Sequence, residues 1–373
     1  MRVLHLCDEL FFLRESSLLR RLRVGLVDEG VRLATAVPDR VADRTMDLLS
    51  GPIVAYSRDR LLIGRGLRQR RLLERIREAA SWPGDPQIIH CFGGGSWALG
   101  DQLARRTSSV LVLELWRRGL TDRVRSLRTW QSGTAQHDGL ILNAPWRGIE
   151  AEAQHELPEA TVRRAPWGVH VSGEAPGPRR PGPTKAIILA GGRHSPTRLL
   201  RAFEGCAELI AEGMDLILFA DALGSAAAGL WHHAEEAGLT SRLSVIADLE
   251  IDRALPLEAD ALVYAGNPGE ARTLILDAMR ADLPVVAGDD PMNETLLDRR
   301  TALVVHEPER GGWRGPIETA LTDDAQRAEL CASARDWVRR NHRVSVQVAS
   351  IYDAYETSLA AATGTAARIG AEA

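Results

Sequence analysis

Lysine is nearly missing from this sequence: of 46 basic residues only Lys185 is a lysine, and the rest are arginine. The bias reads first as genome composition, but it excludes a lysine phosphate clamp anywhere except position 185. Cysteine is scarce too. Cys7, Cys91, Cys206 and Cys331 lie far apart and make no CxxC pair, so they read as buried thiols in a reducing compartment rather than as a zinc or redox motif. There is no cluster of metal-ligand type and no DxD, which leaves a metal-dependent site without support. No apolar run approaches twenty residues and no signal peptide opens the chain, so the expectation is a cytoplasmic protein, soluble or held peripherally at the inner face of a membrane. A net charge of -4 with a pI near 6.2 gives no argument for a nucleic-acid partner.

What is present is α/β patterning. At 373 residues the chain exceeds one compact core and suits two such domains. RVLHLC predicts a buried strand, Glu15 to Glu29 a helix ended by Gly30, and RLATAVP a second strand. This βαβ opening implies a parallel sheet covered on both faces. It repeats through PIVA, a helix to Ala80, QIIHCF, a helix from Ser96, VLVLEL, GLILN, a helix to about Glu156, and TVRRAP. Residues 172–184, SGEAPGPRRPGPT, hold four prolines and three glycines and mark a linker. Beyond it the alternation restarts with KAIILA, DLILFA, RLSVIA and ADALVYA, which predicts a second doubly wound domain.

The chain is organised around Gly266 to Ala287. A strand ends there in a Pro-Gly turn, and a helix from about Ala271 to Ala281 stops before Leu283-Pro284 and the next strand. The free amides and positive dipole end of such a helix could receive an anion, with Glu270 at its mouth and Asp277 two turns further on nearly the same face; an ordinary α/β unit with a surface acid and an N-terminal acid is the plainer reading of this segment alone.

Several stretches together resemble the retaining glycosyltransferases of family 4, which have the GT-B fold. PWGVHV at Pro166 is similar to the family's PNGVD, GGRHSPTRLLRAF at Gly191 to GRLxxxKGxxxLLxA, and EARTLILDAMRADLPVVA to EGFGLVLLEAMAxGLPVVA. NETLLDRRTALVV is similar to the segment ending in GLLV, and VQVASIYDAYETSL is placed like the family's closing helix. The resemblance implies two Rossmann-like domains facing a cleft: an acceptor domain over 1–171, a nucleotide-sugar domain over 185–344, a helix over 345–361 crossing back to the first domain, and a frayed tail over 362–373. It implies a nucleoside diphosphate sugar as substrate, no cofactor and no metal, and a glycan or glycolipid acceptor. Arg193 matches the phosphate-clamping arginine and Arg198 the family's lysine, with a planar bidentate donor in its place. Gly269, Glu270, Thr273 and Asp277 complete the implied donor site, Asp277 standing at the second acid of E-x7-E and implying a ribose contact.

Three positions depart from the family. Gly269 stands where the first acid belongs, Phe12 and Leu13 replace the glycine pair after the first strand, and His90-Cys91-Phe92 replaces HxH. They keep open a second reading, a catalytically inactive GT-B scaffold that binds a nucleotide or protein partner. A sugar-nucleotide epimerase of the same fold has no positive motif.

In the first domain, Gly93, Gly94 and Gly95 lead into Ser96, a natural N-cap, so the loop could form a backbone nest for an anion or be a tight turn. Trp97, Trp116, Trp146 and Trp167 each follow a predicted strand, next to Arg117, Arg118 and Arg147. Gly94, Gly95, Ser96, Trp97, Trp116 and Trp146 are therefore acceptor-site candidates, with domain core as the equal alternative for the indoles. His90, His170 and His194 are candidate bases that more often prove structural. Residues 58–77 carry eight arginines among leucines and isoleucines, a pattern for anionic lipid or, more commonly, for a solvated helix.

Overall fold

The computed structural model describes residues 1–49, 51–57, 65–127, 130, 139–171, 182–192, 194–247, 249 and 255–371, without the side chains of 44–48, 65, 256–257 and 363–371. Most of the expected linker, residues 172–181, lies outside the described residues. The chain divides into two units. One holds Met1–Trp167 with Val344–Ala373, and the other holds Gly168–Arg343.

In the first unit the short apolar runs become β1 (Arg2–Cys7), β2 (Arg32–Pro38), β3 (Ile53–Tyr56), β4 (Ile88–Phe92), β5 (Val110–Glu114), β6 (Leu140–Ala144) and β7 (Thr161–Arg164). They pair in parallel in the order β3-β2-β1-β4-β5-β6-β7. β4 and β5 are buried at every residue, as a sheet covered by helices on both faces requires. The order reverses between β1 and β4.

The second unit repeats the plan with β8 (Lys185–Gly191), β9 (Leu216–Asp221), β10 (Leu243–Ile246), β11 (Ala261–Ala265), β12 (Val285–Gly288) and β13 (Leu303–Val305), ordered β10-β9-β8-β11-β12-β13 and all parallel. Its core gathers Ile187, Leu189, Leu218, Val263 and Val286 from the sheet against Phe203 and Cys206 of the helix Pro196–Ala211. Its order reverses between β8 and β11. All four cysteines are free and buried, and burial alone pushes the Cys206 thiol up to about 12.

Three expectations about helices need correction. The first helix spans Glu9–Asp28 rather than starting at Glu15, because the Asp8 carboxylate caps it by accepting from the Phe11 amide at 2.7 Å; Glu15 marks only a kink. The helix in the organising stretch is shorter than expected, Thr273–Arg280, which leaves Glu270 in the loop before it. The final helix, Val344–Ala371, runs through most of the segment expected to fray. It packs on the first helix where Gly25 allows a close approach: a methyl on Gly25 would lie 2.4 Å from Val348. No helix among the described residues is long and apolar enough to cross a membrane.

Candidate functional site

In open α/β sheets, ligands bind beyond the carboxyl ends of the strands where the strand order reverses. The second unit places Gly191 and Gly192 at the end of β8 and Gly266 and Asn267 at the end of β11. The loop is drawn together by Ser195, whose hydroxyl donates to the Ala265 carbonyl at 2.9 Å and accepts from the Gly192 amide at 3.1 Å. The turn is tight at Gly192, where a methyl would lie 3.0 Å from Asn267, 3.1 Å from Ser195 and 3.2 Å from the Glu270 carboxylate. Glu270 is buried and accepts from the Asn267 amide at 3.1 Å. The acid that the pattern put at a helix mouth thus faces the glycine turn of the neighbouring strand.

Arg198 enters the same place from the helix Pro196–Ala211. It is only 8% exposed. Its Nη1 donates to the carbonyls of Gly266 at 3.2 Å and Asp289 at 3.5 Å, and its Nε to Glu309. The guanidinium therefore sits across the ends of β11 and β12, held by a carboxylate that is itself half exposed. Arg193 lies outside the described residues. Thr273 and Asp277 are buried in the helix Thr273–Arg280, and the Asp277 carboxylate accepts from Arg280 Nε at 2.8 Å.

Asp290 belongs to the site and carried no sequence signal. It follows β12 by two residues and is 6% exposed. Its two oxygens each accept from the Gly269 amide at 2.9 Å, and one also accepts from Met292 at 3.0 Å. Gly269 has φ of 72°, the left-handed region that suits glycine. Burial pushes the Asp290 carboxyl up to about 6, against the two amide hydrogen bonds and the Arg198 charge that pull it down.

The first unit is built differently at its reversal point. Gly93, with φ of 86°, lies so close to Asp8 that a methyl would fall 2.2 Å from the carboxyl carbon. One Asp8 oxygen caps the first helix and the other accepts from the Gly95 amide at 2.7 Å, so an internal carboxylate already takes that amide. Ser96 occupies the cap position of Trp97–Thr107 but does not cap it. Its backbone is helical, and its hydroxyl turns back to donate to Gly93 O at 2.8 Å. Trp97, Trp116, Trp146 and Trp167 are each 1% exposed and present no ring face to a sugar in this state. Phe11 meets Trp116 and Trp167 edge-on at 5.6 and 5.8 Å and lies 5.4 Å from Phe92, and the bulky Phe12 is buried beside it in sequence.

Of the candidate bases, His90 is fully buried. Its Nδ1 is 2.7 Å from the Tyr355 hydroxyl and its Nε2 is 3.1 Å from Glu114, which also accepts from Trp167 Nε1 at 2.6 Å. His170 and His194 are exposed. Residues 58–64 of the arginine-rich stretch lie outside the described residues; in the helix Arg65–Ala79 the apolar Leu72, Leu73 and Ile76 are buried in the unit, and Leu67 is exposed.

No protein-family model matches this sequence, and no curated protein sequence matches it. Solved structures do. Sucrose-phosphate synthase (tll1590) from Thermosynechococcus elongatus aligns over 97% of this chain and 100% of its own, with a TM-score of 0.70 and 14% identity. Anabaena Alr3699/HepE, solved in complex with UDP and glucose, aligns over 96% and 100% with a TM-score of 0.72 and 12% identity. A glycosyltransferase from Rickettsia africae aligns over 96% and 98% with a TM-score of 0.68 and 12% identity. Likeness at such identities establishes architecture: this chain has the GT-B fold of two Rossmann-like units that these glycosyltransferases share.

Proposed function

We propose that this protein is a glycosyltransferase that moves a sugar from a nucleoside diphosphate donor to a saccharide or lipid-linked acceptor with retention. The observation that carries the reading is Arg198, a buried guanidinium brought to the carboxyl ends of β11 and β12, where its Nη1 lies against Gly288 and donates to the Gly266 carbonyl and where open sheets bind phosphates. Negative charge grows on a diphosphate as the glycosidic bond breaks, and a fixed planar cation lowers the energy of that state more than that of the intact donor. Glu309 holds the guanidinium in place, and a diphosphate would compete for the same donors. Glu270, already beside Gly192, is the acid best placed for a hydroxyl of the nucleotide sugar. Arg193 joins this site by the family resemblance. UDP is the first base to test because the Anabaena protein of this fold was solved with UDP-glucose.

The test is calorimetry with UDP and with GDP, followed by hydrolysis of UDP- and GDP-sugars read by mass spectrometry. Wild type is expected to bind UDP and release sugar slowly in the absence of acceptor. Arg198→Gln is expected to weaken UDP about ten- to hundredfold, the range for charge-assisted hydrogen bonds. No heat with either nucleotide would overturn the reading, and binding with no hydrolysis or transfer would select the inactive scaffold. The anomeric configuration of the first transfer product, read by proton NMR, decides retention.

A further inference from the structure

Two guanidinium groups beside the glycine loop of the first unit have no hydrogen-bonded or ion-paired partner among the described residues. Arg117 follows β5 by three residues and is half-buried, with its Cζ 5.6 Å from the centre of the Trp116 ring. Arg123, in the short helix Thr121–Arg125, reaches over the glycine loop: a methyl on Gly94 would lie 3.2 Å from its Nη1 and 3.0 Å from Leu120. Among the described residues, neither guanidinium donates a hydrogen bond or enters an ion pair, and the Gly94 amide has no acceptor. The neighbouring acids are committed elsewhere. Asp122 pairs with Arg125 at 2.8 Å, Glu152 takes Arg118 at 3.7 Å and the Gly119 amide at 3.3 Å, Glu156 accepts from Thr121, and Asp8 holds the Phe11 and Gly95 amides. Burial, and then the nearby charge of Arg123, make Arg117 a weaker base than a free arginine, with Asp8 opposing them. Two like charges converging with only Asp8, already hydrogen-bonded to two amides, to offset them cost energy that an incoming anion would recover.

We infer that Arg117, Arg123 and the Gly94 amide form a phosphate subsite in the acceptor domain, so that the acceptor carries a phosphate group. Two planar donors and an amide match the several oxygens of a phosphate, and its charge of nearly two at neutral pH balances both arginines where a carboxylate would balance one. The assignment to an acceptor rests on the transferase reading; the phosphate subsite itself does not.

The full chain, saturated with UDP so that the second unit's anion site is filled, is titrated with glucose 6-phosphate and with glucose. It is also sedimented with phosphatidylcholine vesicles with and without phosphatidic acid, which separates a soluble phosphorylated sugar from a lipid phosphate. At least one phosphorylated probe is expected to bind about tenfold or more tightly than its neutral counterpart. Arg117→Gln/Arg123→Gln is expected to erase that margin, and Arg117→Lys/Arg123→Lys to restore part of it. The melting temperature of both double variants should stay within about 2 °C of wild type, because no hydrogen bond or ion pair is lost and Arg117 gives up only its contact with the Trp116 ring. Equal binding of phosphorylated and neutral probes, or a margin unchanged in Arg117→Gln/Arg123→Gln, overturns the subsite. Failure of wild type to bind UDP sinks the donor reading instead and leaves the phosphate margin to be judged by itself.

Discussion

The two sheets reverse strand order in the same way and fill the point of reversal with opposite materials. Beyond β1 and β4 stand Phe11, Phe92, Trp116 and Trp167 in edge-on and tilted contact; Asp8 there is taken by two backbone amides, and Glu114 by Trp167 Nε1 and His90. Beyond β8 and β11 stand two glycines, Ser195, Asn267, Glu270, Asp290 and Arg198, a polar group with charge of both signs and little apolar volume. A topological switch point is thus a location and not yet a chemistry. Aromatic rings can seal it into core, and small and charged residues can leave it able to receive an anion. In this chain Phe12 and Leu13, which stand where the resembled family has a glycine pair, go with sealing; under the proposed function the nucleotide then falls to the second unit, and the first keeps the arginines of its rim.

The sharpest way to break this comparison is Phe11→Ala. A fully buried phenylalanine at the centre of an aromatic cluster is worth about 3–5 kcal/mol when truncated, since a cavity is added to the lost transfer energy. Urea denaturation should show that loss in the first unit's transition while UDP affinity in calorimetry stays put. A fall in UDP affinity with less than about 1 kcal/mol of lost stability would mean that the first switch point is a ligand site after all.

Much of this division was legible in the sequence, and the illegible remainder has a common cause. Parallel strands buried on both faces read as apolar runs, so β1 through β12 could be placed from KAIILA, VLVLEL and their like, while the three-residue β13 was not read as a strand. Trp97, Trp116 and Trp146 were correctly placed after strands, but an indole that stacks on a sugar and one that fills a core leave the same mark, and only burial separates them. Helix ends failed where a side chain had two uses. Ser96 can cap or bond backwards, and Asp8 serves a helix and a loop 87 positions away. Asp290 and Arg123 sit in DDPM and LTDRVR, stretches that announce nothing, because their meaning depends on Gly269 and Gly94 approaching from other strands.

The contrast extends to pH, with opposite signs in the two units. Asp290 has its folded-state value raised from 3.8 to about 6, so the folded protein holds a proton that the unfolded chain has lost. Its stabilising contribution is therefore complete below about pH 4 and is lost as pH rises through about 6, an effect on the order of 2–3 kcal/mol. Asp290→Asn keeps an oxygen for the Gly269 and Met292 amides and removes the titration. The variant should gain stability over wild type from pH 4 to 7, and equal slopes in urea melts across that range would refute the effect. His5 in the first unit behaves the other way. Burial, then the nearby charges of His90 and Arg23, hold its imidazole well below 6.5, so its neutral form stabilises above that value and the first unit weakens as pH falls.

The smallest expected effect tests whether the polar groups of the first unit are structural. Tyr355 comes from the C-terminal helix, 265 positions after His90, and its hydroxyl lies 2.7 Å from His90 Nδ1 and 3.3 Å from His5 Nε2. Burial, and then the Glu114 charge, raise the phenol well above its ordinary value, so it remains a neutral hydroxyl at any working pH. Tyr355→Phe keeps the ring and its packing and removes only the oxygen, which leaves two buried imidazole nitrogens short of a partner at a cost of about 1–2 kcal/mol. The loss should fall on the attachment of the helix Val344–Ala371, read as faster amide exchange there, with the pH profile of sugar release unchanged. If the variant instead kept its stability and shifted that pH profile, His90 would be exchanging protons with a substrate, and a network closed inside one unit could not do that.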